Sequence, residues 1–309
     1  MKAFTLDTLG MPPGLRDDLP APASAAGDVL VRVHASSLNP VDNAIAAGML
    51  SSMVEHEFPV ILGRDYAGVV ERVGSDVTRY AAGDEVYGFL LHANPTVHDG
   101  SWAELIAVPE NTSIARKPSG VDLATAGAAP LAAITAMTAV DALQLSEGDT
   151  VVVVGATGGV GSFAVQLAAR AGATVLAPAL PDDEEYLSGL GVSELLDRDA
   201  DIGAAVRDRH PDGVDAMLDL VSYTPGAFDA ALRPDGRVAS PNSAAGDAPG
   251  RTNVMALPSP ENLERLAQLL AAGTLTVPVQ HTYQLERAGE ALHALGNAHT
   301  QGKLAIRIA

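Results

Sequence analysis

Over the first 118 residues, apolar and polar positions alternate with a period of two in short runs closed by Gly, Pro or Asp. In DVLVRVHASSLN, Val29, Val31 and Val33 alternate with Leu30 and Arg32 before the run breaks at Pro40. DYAGVVERVG does the same up to Gly74, and AAGDEVYGF and GSWAELIAVPE each place a short strand near a glycine turn. This spacing predicts a compact β-rich domain with few helices. From Asp122 the texture changes. The valines of Val151 to Val154 lead into glycines and an Ala-rich amphipathic stretch, and ATVLA follows as the next strand. DDEEYLSGLG (helix), SELLD (strand), DIGAAVRDRH (helix), VDAMLDLV (strand), PGAFDAAL (helix) and GRVAS (strand) continue the alternation. Strand–helix alternation of this kind predicts a parallel, doubly wound α/β sheet. SPENLERLAQLLAAG reads as an amphipathic helix opened by Pro260 and closed by Gly273. The tail gives a strand, the helix LERAGEALHAL and the strand KLAIRIA, which have no place in that sheet and are expected to return to the first domain. The expected division is 1–119 with 273–309, around an inserted 120–272.

One uncharged run, Leu123 to Val140, is long enough to suggest a membrane span. Gly127, Pro130 and many Ala and Thr leave it too weakly apolar for insertion, so a buried helix is expected. Acidic residues outnumber basic ones 38 to 19, for a formal charge of −19. Such a surface repels phosphate backbones and anionic lipids and argues against nucleic-acid and membrane partners. The absence of cysteine excludes disulfides, thiolate zinc sites and cysteine nucleophiles. Met1 to Gly10 lacks the basic start and apolar run of a signal peptide, so a cytoplasmic location is expected.

The candidate chemistry begins at VVVVGATGGVG. A buried strand that ends in a glycine turn and starts a helix aims backbone N–H groups and the helix dipole at one point, which suits a pyrophosphate. Gly155 is expected to make the tight turn, Gly158 and Gly159 to let phosphates approach, and Gly161 to permit close helix–strand packing. Ala156, Thr157 and Val160 complete the segment. The spacing G-x-x-G-G-x-G is one residue longer than the usual dinucleotide fingerprint. The end of the next strand falls at Ala179. No carboxylate stands there to repel a 2′-phosphate, so NADP (as NADPH) is favoured over NAD. Arg198, ending the third strand, is read either as a bidentate partner of that phosphate or as a solvated arginine beside Asp197 and Asp199. Val221 and Ser240, at the ends of two later strands, are included among the expected cofactor contacts.

In order along the chain, SSLNPVD, FPVILGRDYAGVVERVG, GDEVYG, GSWAELIAVP, VVVVGATGGVG, GVDAMLDLV, LRPDGRVAS and GKLAIRI resemble the medium-chain dehydrogenase/reductase superfamily, and within it the zinc-free quinone oxidoreductase branch. The resemblance implies a GroES-like catalytic domain built from both chain ends, with a Rossmann cofactor domain inserted between them, and commonly a homodimer. Where zinc-dependent relatives carry Gly-His-Glu, Gly63-Arg64-Asp65 stands here, and the eight histidines show no ligand-like pairing. No metal site is expected. Without a Lewis acid, the chemistry suits acceptors that are already electrophilic, such as quinones and enones, whose developing oxyanion needs only a hydrogen-bond donor.

By the same resemblance, Asn39, Pro40 and Asp42 line the floor beside the nicotinamide. Asn39 is implied as donor to the substrate oxygen. Asp42 is read either as a proton relay or as a brace for its loop. Thr135 matches a position that packs on the nicotinamide, and a buried helix threonine is an equal account. Ala44 and Ala46 stand where several relatives carry Tyr and Arg, and Leu50 where another Tyr can occur; this leaves the proton donor open, and the alanines suggest a roomier, more apolar pocket. Tyr66 and Tyr87 are candidates, each also readable as a core residue. The expected function is NADPH-dependent reduction of quinones or α,β-unsaturated carbonyls. Its alternatives are an enoyl reductase of a biosynthetic pathway and a non-catalytic NADPH-binding redox sensor.

Overall fold

The computed structural model describes residues 1–93 and 96–309, in two compact units: Met1–Leu131 with Leu257–Ala309, and Ala132–Ala256. The first unit takes in more chain at both junctions than the sequence pattern suggests. Two helices account for this, one after residue 119 and one before residue 273, and both are built onto its strands.

The first unit opens with β1 (Ala3–Leu6), β2 (Gly14–Arg16), β3 (Asp28–Ser37), α1 (Pro40–Ala46), β4 (Val60–Ile61), β5 (Asp65–Val73), β6 (Glu85–Phe89), β7 (Leu105–Pro109), β8 (Ala115–Arg116) and α2 (Leu123–Ala128). Val29, Val31 and Val33 of β3 are fully buried and pack with Tyr66, Val70 and Val86. On the polar side of the same strand, Arg32 forks onto Glu71 of β5 at 2.9 and 3.0 Å. β3 is the hub: β5, β7 and the last strand of the chain all pair with it antiparallel.

The second unit holds most of α3 (Pro130–Leu143), then β9 (Thr150–Val154), α4 (Gly159–Arg170), β10 (Thr174–Ala179), α5 (Glu184–Leu190), β11 (Glu194–Asp197), α6 (Ile202–Arg209), β12 (Val214–Asp219), β13 (Leu232–Ser240) and β14 (Arg251–Asn253). Its six strands are all parallel, in the order β11-β10-β9-β12-β13-β14. Val151, Val152 and Val153 of β9 are fully buried, as expected for a strand covered on both faces. The chain then returns to the first unit through α7 (Pro260–Ala271), β15 (Val279–Gln284), α8 (Ala288–Asn297) and β16 (Lys303–Arg307). Ser259 caps α7 by accepting from the Asn262 N–H, and β16 lies against β3.

The pattern misleads in three places. The run Leu123 to Val140 forms two helices, α2 and α3, because Pro130 has no N–H to carry a helix across Ala129. PGAFDAAL is not a helix beyond the three 3₁₀ residues Asp229–Ala231: Gly226 sits at φ +78°, and the Asp229 carboxylate is held by Arg251 at 2.8 and 2.7 Å. The short strands β1, β2, β4 and β14 carry too few residues to show a period. Among the described residues, no helix is long and apolar enough to cross a membrane.

Candidate functional site

In the second unit the glycine turn follows β9. Gly155 has φ +92°, and a Cβ there would meet Val221 Cγ1 at 2.8 Å. Gly161 lies so close to the turn that a Cβ would fall 2.1 Å from the Gly155 carbonyl oxygen and 2.7 Å from Ala156 Cα. Gly158, the N-cap of α4, is different. Its φ of −73° and ψ of 176° suit any residue, and the nearest atom to an added Cβ is the Gly155 oxygen at 3.6 Å. Packing demands glycine at 155 and 161, whereas at 158 the protein leaves the space open. That opening lies at a helix N-terminus, whose first N–H groups (those of Gly159, Val160 and Gly161) have no partner within the helix. Ala156 is fully buried and Thr157 half-buried within the same turn.

The strand order reverses at β9, with β10 on one side and β12 on the other, so the turn stands at the switch point of the sheet. Parallel pairing brings the carboxyl ends of all six strands to one edge. Ala179 pairs with Asp197, and the Arg198 N–H donates to the Ala179 carbonyl at 3.2 Å. Asp219 is level with Val154, and its Oδ1 accepts from the N–H groups of Val221 and Ser222 at 3.1 and 2.8 Å. Ser240 is fully buried at the end of β13, with its Oγ accepting from the Asn242 N–H. Asp183 is fully buried and turned inward to cap the Leu180 N–H at 2.9 Å. Thr135 is a buried residue of α3.

In the first unit a polar cluster is buried where β3, α1, β5 and β16 meet. Asn39 is 4% exposed and Asp42 fully buried. The Asn39 N–H donates to Asp42 Oδ2 at 2.7 Å, which braces the start of α1, while Asp42 Oδ1 is buried with no hydrogen-bond partner. Burial pushes the Asp42 carboxyl up to about 7, against the pull of the Arg64 guanidinium. The Asn39 side chain spans two groups: Nδ2 donates to Asp65 Oδ2 at 2.8 Å, and Oδ1 accepts from Lys303 Nζ at 2.7 Å. Asp65 also accepts from Ser37 Oγ at 2.5 Å and, through Oδ1, from the Leu131 N–H at 2.7 Å. Asp65 and Lys303 were not read as site residues from the sequence. The available signal was one of only three lysines, placed at the start of a strand just before the apolar run Leu304–Ile306.

Tyr66 stands apart from this cluster, since neighbours on a strand face opposite ways. It is fully buried among the valines of β3 and donates to the Ser113 carbonyl at 2.7 Å. Burial pushes its phenol well above the usual range. The geometry is that of a core residue, not of a proton donor. Tyr87 is likewise buried and donates to the Leu263 carbonyl of α7 at 2.5 Å.

A zinc ion does not fit these side chains. Arg64 is 1% exposed and donates to the carbonyls of Leu91 (2.9 Å) and Ile61 (3.0 Å). A guanidinium that is always charged cannot ligate a metal and opposes one nearby. Among the described residues, no three His, Cys, Asp or Glu side chains gather as a metal cluster.

Residues 25–119 match the alcohol dehydrogenase GroES-like domain family, and residues 190–306 match the zinc-binding dehydrogenase family. The chloroplast envelope quinone oxidoreductase homolog of Arabidopsis thaliana is 31% identical over 307 residues, spanning 93% of this chain and 92% of that protein. The phthioceranic/hydroxyphthioceranic acid synthase of Mycobacterium bovis (strain BCG / Pasteur 1173P2) is 33% identical over 310 residues, spanning 91% of this chain but 14% of the synthase. The solved structure of the quinone oxidoreductase from Coxiella burnetii matches with a TM-score of 0.88 at 29% identity, covering 100% of this chain and 99% of that one.

Proposed function

The chain belongs to the medium-chain dehydrogenase/reductase superfamily, in its quinone oxidoreductase branch, and from that premise we propose that it reduces quinones or α,β-unsaturated carbonyls with NADPH and without a metal ion. The observation that carries the reading is the opening at Gly158: a glycine that packing does not require, at the N-terminus of α4 and at the sheet's switch point. The pyrophosphate of a dinucleotide fits there. Ala179 and the neighbouring Arg198 support a 2′-phosphate. When bound, the nicotinamide supplies hydride to an electrophilic carbon of the acceptor.

The chain's own residues serve the oxygen. As hydride reaches carbon, an electron pair moves onto the acceptor oxygen, and Asn39 Nδ2–H donates to it. Asp42 braces Asn39 through Oδ2, while its unpartnered Oδ1 and its pKa of about 7 leave it able to exchange a proton near neutrality. This supports the relay reading alongside the brace. A proton from water then completes the reduction. Arg64, in the position of a metal ligand in zinc-dependent relatives, supports the metal-free form. β14 ends the parallel sheet and, among the described residues, pairs only with β13, which leaves an edge suited to a second copy.

Similarity to a segment of an acid synthase favours a second reading, an enoyl reductase of a biosynthetic pathway. Rates of NADPH and NADH oxidation with a panel of quinones, alkenals, enones and enoyl thioesters separate the two. Quinone or enone turnover with NADPH preferred supports the first, and turnover confined to thioesters supports the second. NADPH binding with no acceptor consumed overturns both in favour of a redox sensor.

A further inference from the structure

We infer that Lys303 is a positioning residue for the hydrogen bond made by Asn39: with Asp65 it locks the side-chain amide in one of its two orientations, with one Nδ2 hydrogen left to give. This rests on the reading of Asn39 as donor to the acceptor oxygen.

The placement follows from the strand register. Ala305 of β16 is level with Ser37 of β3, and the Leu38 N–H donates to the Leu304 carbonyl at 2.9 Å, which puts Lys303 opposite Asn39. The preceding Gly302 has φ +85°, and a Cβ there would meet the Pro278 carbonyl oxygen at 2.2 Å; the Lys303 N–H donates to that same oxygen at 2.8 Å. Glycine at 302 lets β16 begin at this register.

The chemistry of the two jaws fixes the amide between them. An ammonium can only donate, so the Asn39 atom 2.7 Å from Lys303 Nζ is the oxygen. An ionised carboxylate can only accept, so the atom 2.8 Å from Asp65 Oδ2 is the nitrogen. Turning the amide over would set N–H against ammonium and oxygen against carboxylate, and both contacts are repulsive. One Nδ2 hydrogen is taken by Asp65, and among the described residues the other has no acceptor.

Lys303 is 2% exposed and Asp65 fully buried, with Nζ and Oδ2 3.6 Å apart and the Leu38 carbonyl accepting from Nζ at 2.9 Å. Stability alone does not call for such a pair, since apolar residues of similar volume often stabilise a core as well as a buried ion pair does. They could not orient an amide.

The test compares full-length wild type, Lys303→Met and Asn39→Ala, and the Lys303→Met/Asn39→Ala double variant. It measures NADPH affinity by calorimetry, kcat and KM for an accepted quinone or enone, and the Asn39 side-chain amide signal in isotope-labelled protein, assigned from its loss in Asn39→Ala. The expected result for Lys303→Met is unchanged NADPH affinity, a shifted Asn39 signal and a kcat about tenfold lower. In the Asn39→Ala background the same change costs no more than about twofold. An equal kcat loss in both backgrounds, or an unmoved amide signal, overturns the inference in favour of a merely structural lysine. If Lys303→Met does not fold, Lys303→Met/Asp65→Asn removes both charges and is held to the same outcomes. Wild type that reduces no acceptor refutes the proposed function, while the amide signal still tests the lock.

Discussion

Replacing Gly158 with alanine adds one methyl group at the N-cap of α4, where φ is −73° and ψ 176°. The backbone there needs no glycine, and the methyl carbon would meet only the Gly155 oxygen at 3.6 Å, an ordinary van der Waals contact. Alanine is a poorer N-cap than glycine, at a cost of roughly 0.5–1 kcal/mol. It also lowers the entropy of the unfolded chain, a gain of about 0.4–1 kcal/mol. The two offset each other, so folding stability changes by no more than about 0.5 kcal/mol. Binding responds differently. In the proposed cofactor site the methyl would occupy the space through which a pyrophosphate approaches the N–H groups of α4, and losing one charge-assisted hydrogen bond is worth about 1.5–3 kcal/mol. Calorimetric titration with NADPH is therefore expected to show Kd raised by about tenfold or more, with urea unfolding unchanged. The control is Gly161→Ala. Its methyl would sit 2.1 Å from a backbone oxygen that cannot turn aside, so that variant loses stability by about 1–3 kcal/mol or more. Wild-type NADPH affinity in a folded Gly158→Ala protein would refute the reasoning, because the opening would then have no ligand to explain it.

Arg198→Ala is expected to lower the kcat/KM preference for NADPH over NADH by about tenfold or more, and an unchanged preference removes Arg198 from the 2′-phosphate. Asp42, held at about 7 by burial, keeps its proton in the folded state at pH values where the unfolded carboxyl has lost it. Its contribution to stability is therefore greatest below the ordinary carboxylate range and falls as pH rises to about 7, by ~1.4 kcal/mol for each pH step of one across that window. The unfolding free energy of wild type, measured against Asp42→Asn, should accordingly decline between pH 4 and pH 7 and then level; a gap that is constant with pH contradicts this. Tyr66→Phe removes one buried hydrogen bond to Ser113 and should cost about 1–2 kcal/mol of stability with kcat unchanged. A large fall in kcat with stability intact would return Tyr66 to the catalytic group.

What the sequence shows, and what it hides, follows the range of each interaction. The period-two runs of β3 and β5 and the strand–helix alternation after β9 are local and were readable. So was the glycine turn, whose strand, turn and helix are contiguous from Thr150 to Arg170. The break between α2 and α3 was obscured because the run is uncharged throughout and has no charged face to interrupt, although Pro130 marks it. Tyr66 was a candidate proton donor as a tyrosine on a strand of the first domain, yet the pleat sends its side chain to the face opposite Asp65. The lock on Asn39 was invisible for a different reason: Lys303 is 264 residues away in the chain, and only the pairing of β16 with β3 brings the two together. No local pattern carries that register.

The most direct test of the central claim is a single-turnover experiment in which chelator-treated protein loaded with NADPH is mixed with a quinone or enone and the nicotinamide absorbance is followed. Metal-free hydride transfer predicts stoichiometric loss of that absorbance with no metal added. Bound NADPH that persists in the presence of every acceptor, or that is consumed only after zinc is restored, would contradict it.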